Sequence, residues 1–299
     1  MYRPWPILAA LALFLASAPV ASPARAQPAA DGGEVTGAAL FHLAIEARRQ
    51  GDERFAATIL ERVVRLDPGA VLPRLEWAEA LMTLREPALV EALLAPVQAR
   101  VDAEADRRPD SAARFYRIRG SAAARAGRTA EALVQYERAI GHRPADLGLR
   151  ALVVSMYRAR GDDRAATDHL VAAASLRPQD ADLRVEAGRA LLGVGRFEEA
   201  EVQFRVALRI DLYAVPAWAG LGEALAGQRR WADAEEVVRG GLQLAPQSAP
   251  LHELLGDALR GGGRDKEALV WYTRAAALAG DAPPALERKI EQVRARLEP

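Results

Sequence analysis

The chain contains no cysteine, only two lysines (Lys266 and Lys289), four histidines and 6% aromatic residues among its 299 positions. Without cysteine there is no disulfide, no thiol nucleophile, no haem attachment motif and no lipid anchor through an N-terminal cysteine. Basic and acidic residues balance at 40 each, so nothing in the charge favours nucleic acid. Neither a G-x-S-x-G elbow nor a phosphate loop ending in Gly-Lys-Ser/Thr is present. His252-Glu253 begins like a zinc-protease motif, but Gly256 stands where the second imidazole belongs. Gly193, Gly195 and the run Gly261 to Gly263 resemble nucleotide loops only superficially, because no strand precedes them.

What the sequence does contain is a period. Between Val215 and Ser248, Trp218, Leu221, Gly222 and Leu225 fall at i, i+3, i+4 and i+7, one face of a helix. Ala234 and Val238 start a second face, and Pro246 closes the unit. The pattern returns thirty-four residues upstream as Gly188, Leu191, Ala200, Phe204 and Ala207. It returns again downstream as Leu255, Gly256, Leu259, Ala268, Tyr272 and Ala275. Counting back from Pro246 places unit starts at Ala113, Leu147, Ala181, Val215 and Ala249. Such self-similarity is the mark of stacked helical hairpins.

Three positions recur within the unit. A small residue on the first helix is Gly120, Val154, Gly188, Gly222 or Gly256, with Val154 the one departure. The second helix opens on Ala132, Ala166, Ala200, Ala234 or Ala268. The turn holds Gly127, Gly161, Gly195 and Gly263, with Arg229 in their place once. This array resembles the tetratricopeptide repeat, whose signature is an aromatic, a leucine and a small residue on one helix, then Ala, an aromatic, Ala and Pro on the next. The resemblance covers about Gly37 to Leu297. It implies an all-α, right-handed superhelical solenoid of about seven hairpins.

The units are 37–70, an irregular 71–112, then 113–146, 147–180, 181–214, 215–248 and 249–282, followed by a capping helix in 283–299. The irregular unit spans forty-two residues, carries Arg85 in place of the turn glycine and Val90 in place of the alanine. Its extra length predicts a second helix that is longer, or broken in two at Pro96, with Pro87 at the helix's first position. In the last helix Leu286, Ile290, Val293 and Leu297 share one face, which suits a solenoid end.

Residues 1–26 differ in kind. Arg3, an apolar run from Ile7 to Leu15 extending to Val20, and Ala24-Arg25-Ala26 describe a secretory signal peptide cut before Gln27. The apolar run is shorter than the ~17–25 residues of a spanning helix. Cleavage would remove Arg3 and Arg25 and no acid, leaving a formal charge of −2 and no stable membrane insertion. Residues 27–36 form a Gly-rich link. These features point to a periplasmic protein of a Gram-negative bacterium.

Reactive groups do not converge: His42, His142, His169 and His252 lie in different repeats, too dispersed to share a metal in an extended stack. The reading is a non-catalytic scaffold, without cofactor or metal, that holds segments of partner proteins in envelope or secretion-complex assembly. Alternatives are an adaptor of an exopolysaccharide or cellulose secretion system, and a helper of cytochrome c maturation. The resemblance places positions two, five, nine, twelve and thirteen of each repeat on the concave face. Carrying them over gives an apolar start (Phe41, Ile45, Leu72, Leu75, Met82), a basic middle (Arg114, Arg117, Ser121, Arg125, Arg158, Arg189) and an acidic end (Glu223, Glu253, Asp257). Arg114, Arg117 and Arg125 should face an acidic partner and be dispensable to the fold. The family's terminal-carboxylate clamp, Lys and Asn at positions five and nine, is not matched by Arg117/Ser121, Ala151/Ser155 or Val185/Arg189.

Overall fold

A computed structural model describes residues 36–281 and 283–298. The candidate signal sequence and residues 27–35 of the link lie outside the described residues. The described chain is helical, with no strand. Helices α1 (Gly37–Arg49) and α2 (Glu53–Leu66) form the first hairpin. Then come α3 (Val71–Thr83), α4 (Ala88–Leu94), a 3-10 turn (Ala95–Val97) and α5 (Gln98–Glu104). Regular pairs follow: α6 (Pro109–Arg125) with α7 (Thr129–His142), α8 (Leu147–Ala159) with α9 (Asp163–Leu176), and α10 (Ala181–Gly193) with α11 (Phe197–Ile210). The last are α12 (Val215–Gly227) with α13 (Trp231–Leu244) and α14 (Ala249–Gly261) with α15 (Asp265–Ala279), closed by α16 (Pro284–Leu297).

Each hairpin turns in the same way. An amide just beyond the turn reaches back to a carbonyl of the first helix, as in Asp162 N to Tyr157 O, Arg196 N to Leu191 O and Arg264 N to Leu259 O. This closure needs one left-handed residue. Gly51, Gly127, Gly161, Gly195 and Gly263 supply it, and Arg85 and Arg229 are forced into it at φ 63° and 61°. Asp52 and Asp162 then cap the second helices, their carboxylates accepting from Phe55 N and Ala165 N.

The recurring small residue is explained by what packs on it. A Cβ added to Gly120, Gly188 or Gly256 would lie 2.6, 2.7 or 2.5 Å from the ring of Tyr136, Phe204 or Tyr272 on the partner helix. At Gly222 the branched Val238 fills the same place, 2.5 Å away. Ala132, Ala166, Ala200, Ala234 and Ala268 are buried beside them. Because the ring rests on bare backbone, the two helices approach closely and exclude water, the main favourable term in helix docking.

First helices pack on first helices of the next repeat at α3 with α6, α10 with α12 and α12 with α14, whereas successive second helices lie farther apart and meet mainly through long side chains. The stack therefore curves with the first helices on its inner side.

In the irregular unit the second helix breaks at Pro96, where the 3-10 turn separates α4 from α5. Pro87 sits one residue ahead of the first position expected for it: it caps α4, which starts at Ala88, since a ring-fixed φ suits either place. Val101 of α5 is buried, and Tyr116 donates a hydrogen bond to Asp102, so the extra residues are packed rather than looped out. Buried Arg74 fastens the unit through Leu93 O at 2.7 Å and Pro68 O at 2.9 Å. At the far end Leu286 and Val293 of α16 are buried against α14 and α15, and Ile290 and Leu297 pack at the margin.

Candidate functional site on the inner face

The basic middle of the inner face is largely neutralised from within. Arg114 on α6 grips both carboxylates of α3: Nη1 to Glu76 Oε1 at 2.8 Å, Nη2 to Glu79 Oε2 at 2.6 Å and Nε to Glu79 Oε1 at 2.7 Å. Arg48 on α1 reaches the same pair, contacting Glu76 and lying 3.4 Å from Glu79. Arg117 joins Glu79 more loosely at 3.5 Å. Burial pushes the Glu79 carboxyl up, but the hydrogen bond from Arg114 and the charges of Arg114, Arg48 and Arg117 outweigh it and hold the group below its ordinary range. Arg114 thus ties two repeats, and with Arg48 the cluster spans three, against the expectation that Arg114 is dispensable and free for a partner.

Other assigned residues divide similarly. Leu75 is fully buried and Met82 nearly so, both in the core that also contains Phe115 of α6. Leu75 is sealed by α6 packing over α3, whereas Met82 shows only its edge to an open cavity that it lines with Thr83, Arg85, Pro87 and Arg125. Phe41 packs at the edge of the first hairpin's core, Ile45 is half-buried and Leu72 is exposed. Ser121 accepts a hydrogen bond from Tyr136 at 3.2 Å. Arg125 donates to Met82 O. Arg158 meets Glu186 at 3.4 Å with both side chains about half exposed, 48% and 50%, and Arg189 is exposed.

At the C-terminal end the structure adds a residue that the motif reading passed over. Lys289 of α16 places its ammonium 2.7 Å from Glu253 Oε1 and 2.7 Å from Asp257 Oδ2. Tyr272 donates to Asp257 Oδ1 at 2.7 Å. Burial, then this bond and the Asp257 charge, push the Tyr272 hydroxyl well up. Glu223 has no such partner: desolvation raises its carboxyl, Asp257 raises it further, and Arg189 and Lys289 only partly oppose them. The acidic end is therefore half occupied by the chain's own lysine.

Along the turn edge a second periodic feature appears. Arg196, Arg230 and Arg264 open successive second helices, each bonded three residues ahead to Glu199, Asp233 and Glu267. The same guanidiniums reach the preceding repeat at Asp168, Glu201 and Glu235. This ladder couples neighbouring units and was legible as Arg and acid at a period of thirty-four. Glu79 and Arg48 were legible too, since they hold positions nine and twelve of their units.

Among the described residues no three His, Asp or Glu side chains gather as a metal site, and no helix is long and apolar enough to cross a membrane. Most groups that converge are guanidinium and carboxylate pairs, the geometry of charge-assisted recognition; one cluster differs, with Tyr157 and His169 both meeting Glu137 Oε1 at 2.8 Å.

No family model and no curated protein sequence matches the chain. In fold it is similar to a chain in the structure of Naa15/Naa10 bound to HypK-THB, with a TM-score of 0.65 and 14% identity, over 86% of this chain and 38% of that one. It also matches a tetratricopeptide repeat protein from Parabacteroides merdae at TM-score 0.43 and 12% identity, over 86% of this chain and 98% of that one. A third match is MamA from Desulfovibrio magneticus, at 0.43 and 21%, over 56% and 94%. The chain is an all-α solenoid of tetratricopeptide-type hairpins.

Proposed function

We propose that this array of tetratricopeptide-type hairpins is a non-catalytic scaffold which holds segments of partner proteins against its inner face. The observation that carries the reading is the alignment of successive first helices, which sets charged side chains of neighbouring repeats side by side on one surface. Exposed pairs such as Arg158 with Glu186 contribute little to stability, so their charges are available to a ligand. A curved stack also offers more contact to an extended segment than a convex surface does.

We place the protein in the periplasm on its N-terminal sequence, in a role in envelope or secretion-complex assembly. Epitope-tagged protein recovered from the periplasm should begin at Gln27 and carry a partner that crosslinking and mass spectrometry identify. An intact N-terminus on cytoplasmic protein would sink the location. Recovery with no protein enriched over a tag control would sink the scaffold reading.

A further inference from the structure

In the middle of the array the stack opens between α8 and α10. Where four repeats set a ring or a branched side chain onto glycine, the repeat of α8 and α9 has Val154 facing Leu170. The core divides there. One cluster ends on Leu149 and Val153 of α8, a small one holds Val154, Leu170 and Ala187, and the next begins at Val185. On the inner side α8 does not pack closely on either α6 or α10, unlike the other neighbouring first helices. A cavity of about 640 Å³ lies between α8 and α10, with α9 as its floor. That size falls in the ~300–1,000 Å³ range of ligand pockets.

Its wall is apolar, built by Leu147, Val154, Leu170 and Leu183, and its rim is mainly basic. Arg158 is held only by Glu186 at 3.4 Å, and Arg177 only by Asp180 at 3.6 Å with the guanidinium side chain 59% exposed. Long, exposed pairs of this kind exchange readily for a ligand carboxylate. By contrast, Arg114, Arg119 and Arg125 of α6 are committed to Glu76 and Glu79, to Glu91 and Gln98, and to Met82 O, and α6 leaves only Arg117 loosely held, at 3.5 Å from Glu79.

We infer that this cavity is the principal anchor for a partner segment, an acidic peptide that inserts a leucine or phenylalanine between α8 and α10 while its flanking carboxylates meet Arg158 and Arg177. The inference rests on the inner-face reading and names the partner chemistry for it. A peptide fits better than a free fatty acid because the cavity is open along the inner face, where a chain can enter and leave, and because two separated guanidiniums call for more than one carboxylate.

The test is a peptide-display selection against the mature protein, followed by fluorescence anisotropy on the selected peptides. Two variants are compared, Ala151→Trp, which fills the cavity from an exposed position, and the pair Arg158→Glu with Arg177→Glu. Selected sequences should carry Leu or Phe flanked by Asp or Glu. Each variant should weaken them by about tenfold or more, with circular dichroism unchanged. Peptides without acids, or peptides that bind both variants as tightly as the parent, overturn the anchor while leaving the scaffold reading intact. Decanoate displacing the peptides at lower concentration than any free peptide would replace the peptide with a lipid acid. No selected peptide, together with no partner recovered from the periplasm, overturns both readings.

Discussion

Replacing Gly188 by Ala separates helix propensity from packing. In an exposed helix the change gains about 1 kcal/mol. Here the new Cβ would lie 2.7 Å from Phe204 Cζ and 2.8 Å from Cε1. A ring tip can often swing away, but this one is held from the far side: Gly220 of α12 meets the same tip, and a Cβ there would come within 2.2 Å. Phe204 is fully buried. With both exits closed, overpacking should cost about 2–3 kcal/mol, the upper part of the usual range. The net loss is about 1–2 kcal/mol once propensity is subtracted. Gly193→Ala on the same helix is the control, since nothing lies within 4 Å of its Cβ; it should be neutral or stabilise by up to about 1 kcal/mol. Urea titration followed by circular dichroism measures both, and trimming the ring with Phe204→Leu should relieve part of the Gly188→Ala cost. Gly188→Ala as stable as the parent would refute the close-approach account of the recurring glycine.

Arg229→Gly should stabilise by up to about 1 kcal/mol and raise the melting temperature slightly, because the left-handed cost of about 1–2 kcal/mol at that turn is removed at the expense of glycine entropy. Gly195→Ala should lower it, since that residue holds φ 77°. Arg114→Ser should destabilise the N-terminal repeats by about 1–2 kcal/mol, because Glu76 and Glu79 lose a half-buried partner; unchanged urea midpoints would return Arg114 to the partner-binding set. In acid, Glu79 has its folded pKa depressed. Its contribution is therefore present above the ordinary carboxylate pKa of about 4.3 and is lost as pH falls through the folded value. The difference in melting temperature between the parent and Glu79→Gln should accordingly shrink across that acid limb. Glu223 behaves oppositely: with its folded pKa raised, Glu223→Gln should stabilise at neutral pH and lose that advantage in acid.

The period and the turn glycines were readable from residue order because they are local or repeat at fixed spacing. A glycine that must turn left-handed, or one that must lie under a ring, leaves its trace at one position in most units. Even Arg85 and Arg229, which break the pattern, take the backbone conformation that the pattern demands. The inner-face charges were readable as positions but not as free groups. Whether a guanidinium is available depends on the carboxylate across from it, and those partners come from other repeats: Glu76 and Glu79 for Arg114, and Glu253 and Asp257 for Lys289 of the last helix. Leu75 and Met82 hold positions five and twelve, which Arg117 and Arg158 hold in other units, and it is the packing of α6 over α3 that buries them. Likewise Val154 was legible as an exception. That the exception coincides with a cavity between α8 and α10 was decided by how far apart the packed helices came to rest.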